Sequence, residues 1–140
     1  MRQLNPYLSF NGQAEEAFNF YKSVFGGEFN GIMRWKDNPQ CEGFSDEDKN
    51  GIMHVSLPIG NSVIMGSDSV KTMGEVTSGT NFQVAISPDS REDADRLFAG
   101  LSEGGKATMP MSDMFRGDYY GALTDKFGIQ WMINHGQNSK

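Results

Sequence analysis

The order of apolar and polar positions predicts a strand, a helix and three further strands in the first half of the chain. The opening strand covers Leu4 to Phe10, where Pro6 confines it to an edge, an end or a bulge. The helix follows with acidic residues in its first turn, and Gly26-Gly27 ends it. Its apolar stripe, at i, i+3, i+4, i+7 and i+11, consists of Ala14, Ala17, Phe18, Tyr21 and Phe25.

Three short apolar runs after this helix predict the remaining strands of the first half. EFNGIMRW is the first of them, and a polar loop from Lys36 to Gly51 follows it. IMHVSLPI and SVIMGSD then meet at Gly60-Asn61, a pair that tolerates positive φ and therefore predicts a hairpin turn. The first half is thus predicted to be βαβββ.

The second half repeats this order of elements. TNFQVAISP predicts a strand, and the helix after it has Ser90 as N-cap, Asp93 in a capping-box position and Gly104-Gly105 at its end. KATMPMSDMF, YYGALTD and IQWMIN predict three more strands, the last two joined around Lys126-Phe127-Gly128. The residues that this second helix is expected to bury are Ala94, Leu97, Phe98 and Leu101.

An internal repeat of this kind predicts an α+β fold built from two βαβββ modules. We place the modules at approximately 1–70 and 78–136, within a single domain spanning 1–140. The alternative is chance agreement between common α+β elements.

Composition narrows the classes of function. With 12 Lys and Arg against 18 Asp and Glu, the net charge is -6, and the scattered basic residues would not attract nucleic acid. Cys41 is the only cysteine, which excludes an intramolecular disulfide and a cysteine-rich zinc module. No segment approaches the roughly 20 apolar residues of a membrane span, and the first residues form no apolar signal region. We therefore expect a cytoplasmic protein with neither nucleic acid nor membrane as a partner.

Three segments carry a resemblance to a known family. PYLSFNGQAEEAFNFYKSVFGG, MHVSLPIGNSVIMGSD and MFRGDYYGALTDKFGIQWMIN resemble the PhnB-like branch of the vicinal oxygen chelate superfamily, the glyoxalase, bleomycin-resistance and extradiol-dioxygenase group. Members of that branch often carry the label of a 3-demethylubiquinone-9 3-methyltransferase domain. Two departures stand out, because Arg116 replaces a common tryptophan and Lys126 a common proline. The resemblance implies paired half-barrel sheets facing a cavity, and a homodimer.

The resemblance also implies where a metal ion would lie. Metal-using members place one ligand on the first and one on the last strand of each module. In this chain those places fall near Asn5, Met65, Gln83 and Met132. Amides and thioethers supply no negative charge, whereas a hard divalent cation prefers carboxylate or imidazole ligands. A register slip of one residue would bring Gln130 or Trp131 to this position. Neither is a carboxylate, so the expectation about the metal stays the same. We therefore expect no metal and no cofactor.

His54 is the candidate for a catalytic role. Period-2 alternation places it with Ile52 and Ser56 on one face of its strand, where an imidazole can act as a general base or an orienting donor. The alternative is a partly buried histidine satisfied by a neighbouring backbone group. His135 lies in the polar segment NHGQNSK, so we interpret it as a solvated tail residue.

Aromatic residues beside polar loops are candidates for lining a ligand pocket. Trp35 and Phe115 fit this description, Arg116 can grip a ligand carboxylate or phosphate, and Trp131 is assigned to the core. The full set of expected ligand-binding residues is Asn5, Tyr7, Trp35, His54, Met65, Gln83, Phe115, Arg116 and Met132.

Two functions from different classes remain open on these grounds. The first is a metal-free small-molecule binding protein, whose acidic balance and aromatic and methionine-rich strands favour an aromatic or cationic ligand. The second is a metal-dependent lyase, isomerase or dioxygenase of the same superfamily, which would require His54 to combine with carboxylates such as Glu42 or Asp68. A protein without a ligand is a third possibility, since fold does not fix function.

Overall fold

Residues 2–136 of the chain are described by a computed structural model, which divides into two compact units, Met1–Thr77 and Ser78–Lys140. The first unit contains β1 (Tyr7–Phe10), α1 (Ala14–Phe25), β2 (Gly31–Arg34), α2 (Asp46–Asn50), β3 (Ile52–Ile59) and β4 (Ser62–Asp68). The second unit contains β5 (Val84–Ile86), α3 (Arg91–Ser102), β6 (Lys106–Asp113), β7 (Tyr119–Thr124) and β8 (Gln130–His135).

Each unit holds one four-stranded mixed sheet, and the two sheets have the same topology. The strand orders are β1-β4-β3-β2 and β5-β8-β7-β6. In both sheets the first strand pairs in parallel with the last, and all other pairs are antiparallel. The predicted α+β repeat of βαβββ elements is therefore confirmed.

One long helix packs on one face of each sheet. The residues that α1 buries are Ala14, Ala17, Phe18, Tyr21 and Val24. The sequence predicts Phe25 in this stripe as well, but it is the last helical residue, no further turn covers it, and it stays half-buried. In α3, Ala94, Leu97 and Leu101 are buried as predicted, whereas Phe98 is only half-buried.

A glycine in each sheet makes room for an aromatic ring from the helix. A Cβ added to Gly66 of β4 would lie 2.6 Å from Cε1 of Phe18 and 2.8 Å from the carbonyl oxygen of Leu8. A Cβ on Gly121 of β7 would lie 3.0 Å from Cε2 of Phe98 and 2.5 Å from Sδ of Met111. These glycines let helix and sheet approach more closely than any side chain would permit.

Local capping and turn signals decide several boundaries. The backbone N–H of Asp93 donates to Oγ of Ser90 at 3.0 Å, which confirms the predicted N-cap of α3. The hairpin at Gly60-Asn61 is also confirmed, and Gly60 alone of the pair adopts positive φ. The predicted polar loop from Lys36 to Gly51 is not wholly irregular, because it contains α2, whose N-cap is Ser45.

Several strands are shorter than the sequence predicts, and β2 covers only Gly31–Arg34 of the predicted EFNGIMRW. The opening strand begins at Tyr7, directly after Pro6, which has no N–H to donate to a ladder. The first strand of the second unit, β5, has only 3 residues. Within residues 2–136, no helix is long and apolar enough to cross a membrane.

Candidate functional site

The face of the first sheet turned away from α1 carries a row of predicted ligand-binding residues; we call it the open face. Tyr7 of β1 is paired with Met65 of β4, and Met65 is paired in turn with Ser56 of β3. Tyr7 is 50% exposed, whereas its neighbour Leu8 points to the helix side and is 4% exposed. An aromatic ring and a thioether therefore lie side by side on the face of the sheet opposite α1.

His54 joins this row from the neighbouring strand. It is paired with Met33 of β2, and its ring centroid lies 6.0 Å from that of Tyr7 with the two planes tilted by 37°. The prediction that Ile52 shares its face is wrong. The register shifts between Met33 and Arg34, so one residue of β3 is skipped and Ile52 turns to the helix side, where it is fully buried.

Two of the four positions where the resemblance implies a metal ligand lie in the first unit. Oδ1 of Asn5 accepts a hydrogen bond from the backbone N–H of Val63 at 3.1 Å, so this amide oxygen ties the chain before β1 to the start of β4. Met65 offers a neutral thioether on the open face. Neither group resembles the anionic oxygen or imidazole that a hard cation needs.

The other two positions lie in the second unit. Gln83 is exposed and directly precedes β5. Met132 of β8 is half-buried and is paired with Ala85 on one side and Ala122 on the other, so its nearest cross-strand neighbours are methyl groups. Throughout residues 2–136, no three His, Cys, Asp or Glu side chains form a group that could hold a metal ion. The donors at these four positions are amides and thioethers, which a hard divalent metal disfavours.

Asp68 is a structural residue rather than a partner for His54. Its carboxylate accepts backbone N–H bonds from Gly12, Ala14 and Ile52 at 2.8–2.9 Å, and its side chain is buried. It ends β4 and is paired with Phe10, whose side chain is also buried. The carboxylate thus caps the start of α1 and fixes the start of β3 rather than facing a ligand.

Trp35 belongs to the same network. Its indole Nε1 donates to the backbone carbonyl of Asp68 at 3.1 Å, and its ring meets Phe44 edge-on with centroids 5.6 Å apart. Phe115 and Arg116 lie in the turn between β6 and β7, where both side chains are exposed. Trp131 lies in the core, 1% exposed, as predicted.

A polar cluster that sequence patterns did not reveal lies on the helix side of the second sheet. Arg91 of α3 stacks on the ring of Tyr119 at 3.9 Å from its centroid and pairs with Asp113, Nη1 to Oδ1 at 2.6 Å. The hydroxyl of Tyr119 donates to Oδ1 of Asp95 at 2.5 Å. We call Arg91, Asp95, Asp113, Tyr119 and His135 the helix-side cluster.

Ion pairing shifts the titration of this cluster. The hydrogen bond from Arg91 lowers the pKa of Asp113, and the same bond raises the pKa of Arg91. The bond to the carboxylate of Asp95 raises the pKa of Tyr119. Over a wide pH range Asp113 therefore stays negative, Arg91 stays positive and Tyr119 stays neutral.

His135 is the member that the sequence misplaced. It is not a solvated tail residue, since it is the last residue of β8, is half-buried and is paired with Tyr119. Arg91, Asp113, Gly117 and His135 line a cavity of about 350 Å³. These residues are far apart in sequence, and only the pairing of β6, β7 and β8 brings them together.

The family model described as 3-demethylubiquinone-9 3-methyltransferase matches residues 2–134. The chain belongs to this family. It is 31% identical over 139 residues to Protein YjdN of Escherichia coli strain K12, covering 94% of this chain and 93% of that one.

Solved structures support the same assignment. The protein PA1353 from Pseudomonas aeruginosa is 34% identical, with a TM-score of 0.87, and the match covers 99% of this chain and 100% of that one. A PhnB protein from Bacillus cereus, a putative 3-demethylubiquinone-9 3-methyltransferase, is 25% identical with a TM-score of 0.76, covering 96% and 100% of the chains. The predicted PhnB-like resemblance is confirmed.

A more distant structure places the fold in a wider group. A glyoxalase/bleomycin resistance protein/dioxygenase family enzyme from Burkholderia phytofirmans is 19% identical with a TM-score of 0.56, covering 92% of this chain and 95% of that one. At this identity the likeness concerns the fold alone. It confirms the predicted glyoxalase/bleomycin-resistance-like fold.

Proposed function

We propose that this family member binds a small aromatic or cationic molecule on the open face of its first sheet, without a metal at the four family positions. The observation that carries the proposal is the placement of Tyr7, His54 and Met65 together on the sheet face opposite α1. Aromatic and thioether side chains adapt to flat apolar ligands, and a tyrosine ring also attracts a cation. The net charge of -6 favours a cation further.

The alternative is a metal-dependent lyase, isomerase or dioxygenase, and no contact in residues 2–136 favours it. The open face offers one imidazole, His54, and the carboxylate of Asp68 is committed to backbone N–H groups on the other side of the sheet. We therefore assign His54 an orienting role toward the ligand. We also propose that the protein is a cytoplasmic homodimer and that its two units form one domain.

A thermal shift screen with cationic and aromatic compounds tests the proposal. A ligand at 100 times its Kd stabilises the folded state by about 2.7 kcal/mol, which raises the melting temperature by several degrees. Tyr7→Ala should abolish the shift, while Phe82→Ala, which removes an exposed aromatic ring that belongs to the second unit, should leave it unchanged. A screen without a single stabilising compound, or equal loss in both variants, would contradict the proposal.

A further inference from the structure

The cavity of the second unit lies on the helix side of that unit's own sheet. Asp113 is paired with Tyr119, and Tyr119 is paired with His135, so these three residues share one sheet face. The same face carries Ile133 and Trp131, which are buried in the core of this unit. Arg91, in the first turn of α3, completes the wall.

His135 has a hydrogen-bonding group that nothing in the described chain satisfies. Its Nδ1 is buried and has no hydrogen-bond partner among residues 2–136. Leaving a buried nitrogen unpaired is unfavourable, so a hydrogen-bond donor supplied by a ligand would remove a penalty.

The charges around the cavity favour a positive ligand. Arg91 is the one cation of the helix-side cluster, and it faces the carboxylates of Asp113 and Asp95. Its contact with Asp113 is uneven, 2.6 Å to Oδ1 but 3.4 Å to Oδ2, so Oδ2 keeps capacity to accept a further hydrogen bond.

We propose that this cavity binds the ammonium group of a small amine, which donates to Oδ2 of Asp113 and to Nδ1 of His135. The His135 ring lines the cavity while Nδ1 is enclosed, so binding includes a rotation about χ2, a torsion that is broad for histidine. Arg91 stacks on the ring of Tyr119 and orients Asp113. Its guanidinium has no atom that can accept a hydrogen bond from the ammonium group. The site is independent of the proposed ligand on the open face.

Competing ligand chemistries fit these groups less well. A carboxylate would have to displace Asp113 from Arg91 and would meet the other carboxylates of the cluster. An alcohol offers one donor hydrogen, whereas a primary ammonium offers three and adds charge attraction. The comparison to make is therefore between molecules of equal size that differ in charge.

Ethanolamine, ethylene glycol and glycolate form such a set and can be titrated into the full chain at about pH 8, where histidine is neutral and the amine is charged. Nitrogen-15 NMR of the imidazole rings reports on binding, and the only other histidine, His54, serves as the internal reference. Ethanolamine should shift the His135 nitrogen signals while the His54 signals stay in place. No shift at concentrations up to about 50 mM, or an equal shift with ethylene glycol or glycolate, would overturn the proposal.

Two variants distinguish a specific binding site from nonspecific charge attraction. Asp113→Asn should weaken ethanolamine binding at least about tenfold, because it removes the accepting carboxylate. Glu103→Gln removes one negative charge from an exposed position at the other end of α3 and should leave binding unchanged. Equal weakening of ethanolamine binding in both variants would show that the effect comes from nonspecific electrostatics, and it would overturn the proposal. If Asp113→Asn does not fold, the three-ligand comparison on the wild-type protein still decides between a site and no site.

Discussion

The indole Nε1 of Trp131 donates a 2.8 Å hydrogen bond to Oδ2 of Asp125, and both side chains are buried. The other carboxylate oxygen accepts the backbone N–H groups of Phe127 and Ile129 at 2.8 and 3.1 Å. One aspartate therefore closes the turn between β7 and β8 and anchors it to the largest side chain of the core.

Replacing Asp125 by Ala should lower the free energy of unfolding by about 2–4 kcal/mol, because the indole and two backbone N–H groups lose their acceptor. Urea unfolding measures this loss, and Asp89→Ala, at an exposed site before α3, is the control. The same Asp125→Ala change made in a Trp131→Phe background should lower the free energy of unfolding by about 0.5–3 kcal/mol less than it does in the wild type. Strict additivity of the two substitutions would contradict the contact.

Gly66→Ala should destabilise the protein by about 1–3 kcal/mol, because the new methyl group would collide with the ring of Phe18 and the carbonyl of Leu8. The matched control is Gly31→Ala in the same sheet, where an added Cβ would meet only Oγ of Ser56 at 3.9 Å. That substitution should change stability by no more than about 0.5 kcal/mol. Chemical denaturation that ranks the two variants equally would refute this account of the packing.

Asp93 should contribute to the acid sensitivity of the fold. The backbone N–H of Asp89, and then the guanidinium of Arg96, lower the pKa of Asp93 below its usual value of 3.8. A carboxyl group whose pKa is depressed in the folded state stabilises the protein above its unfolded pKa, and this contribution is lost as the pH falls through the folded pKa.

Asp93→Asn should therefore be less stable than the wild type at neutral pH, and the difference should shrink once the pH lies below both pKa values. Urea midpoints measured across this range provide the test. Glu92→Gln, an exposed change of equal charge on the same turn, should show a smaller difference at neutral pH. A gap for Asp93→Asn that stays constant down to the lowest pH would show that its charge is irrelevant.

Protein purified without added metal should contain well under one equivalent of any transition metal per chain. The groups at the four family positions are amides and thioethers, and Asn5 already uses its oxygen for the N–H of Val63. Elemental analysis gives the ratio directly. Stoichiometric nickel, zinc, manganese or iron would favour the metal-dependent enzyme instead.

Light scattering should give a mass twice the 15.5 kDa of one chain, in line with the proposed homodimer. β2 is an edge strand, and its Ile32 is 47% exposed, so it offers unpaired backbone groups beside an apolar side chain. Ile32→Lys should therefore weaken the dimer, whereas Met73→Lys, at an exposed position outside the sheets, should not. A wild-type protein that light scattering shows to be a monomer would contradict this prediction.

Local signals made most of the secondary structure predictable. The 3.6-residue spacing in α1 and α3, the capping bond of Ser90 and the hairpin at Gly60 all depend on residues close in sequence. Trp131 could be assigned to the core for the same reason, because strand alternation is a local property. Prediction from local spacing failed at the end of α1, where Phe25 lacks the cover that a further helical turn would give.

Long-range pairing decided the features closest to function. The register shift opposite Met33 and Arg34 removed Ile52 from the face of His54, and no pattern within β3 encodes it. The pairing of β8 with β7 turned His135 from an apparent tail residue into the wall of a cavity with Arg91 and Asp113.

The sequence by itself determined the repeated βαβββ order and the family, because these follow from residue types and their local spacing. Only the tertiary structure decided which side chains share a face. That choice depends on register between strands that are distant in sequence, and a shift of one residue reverses the face of every side chain beyond it.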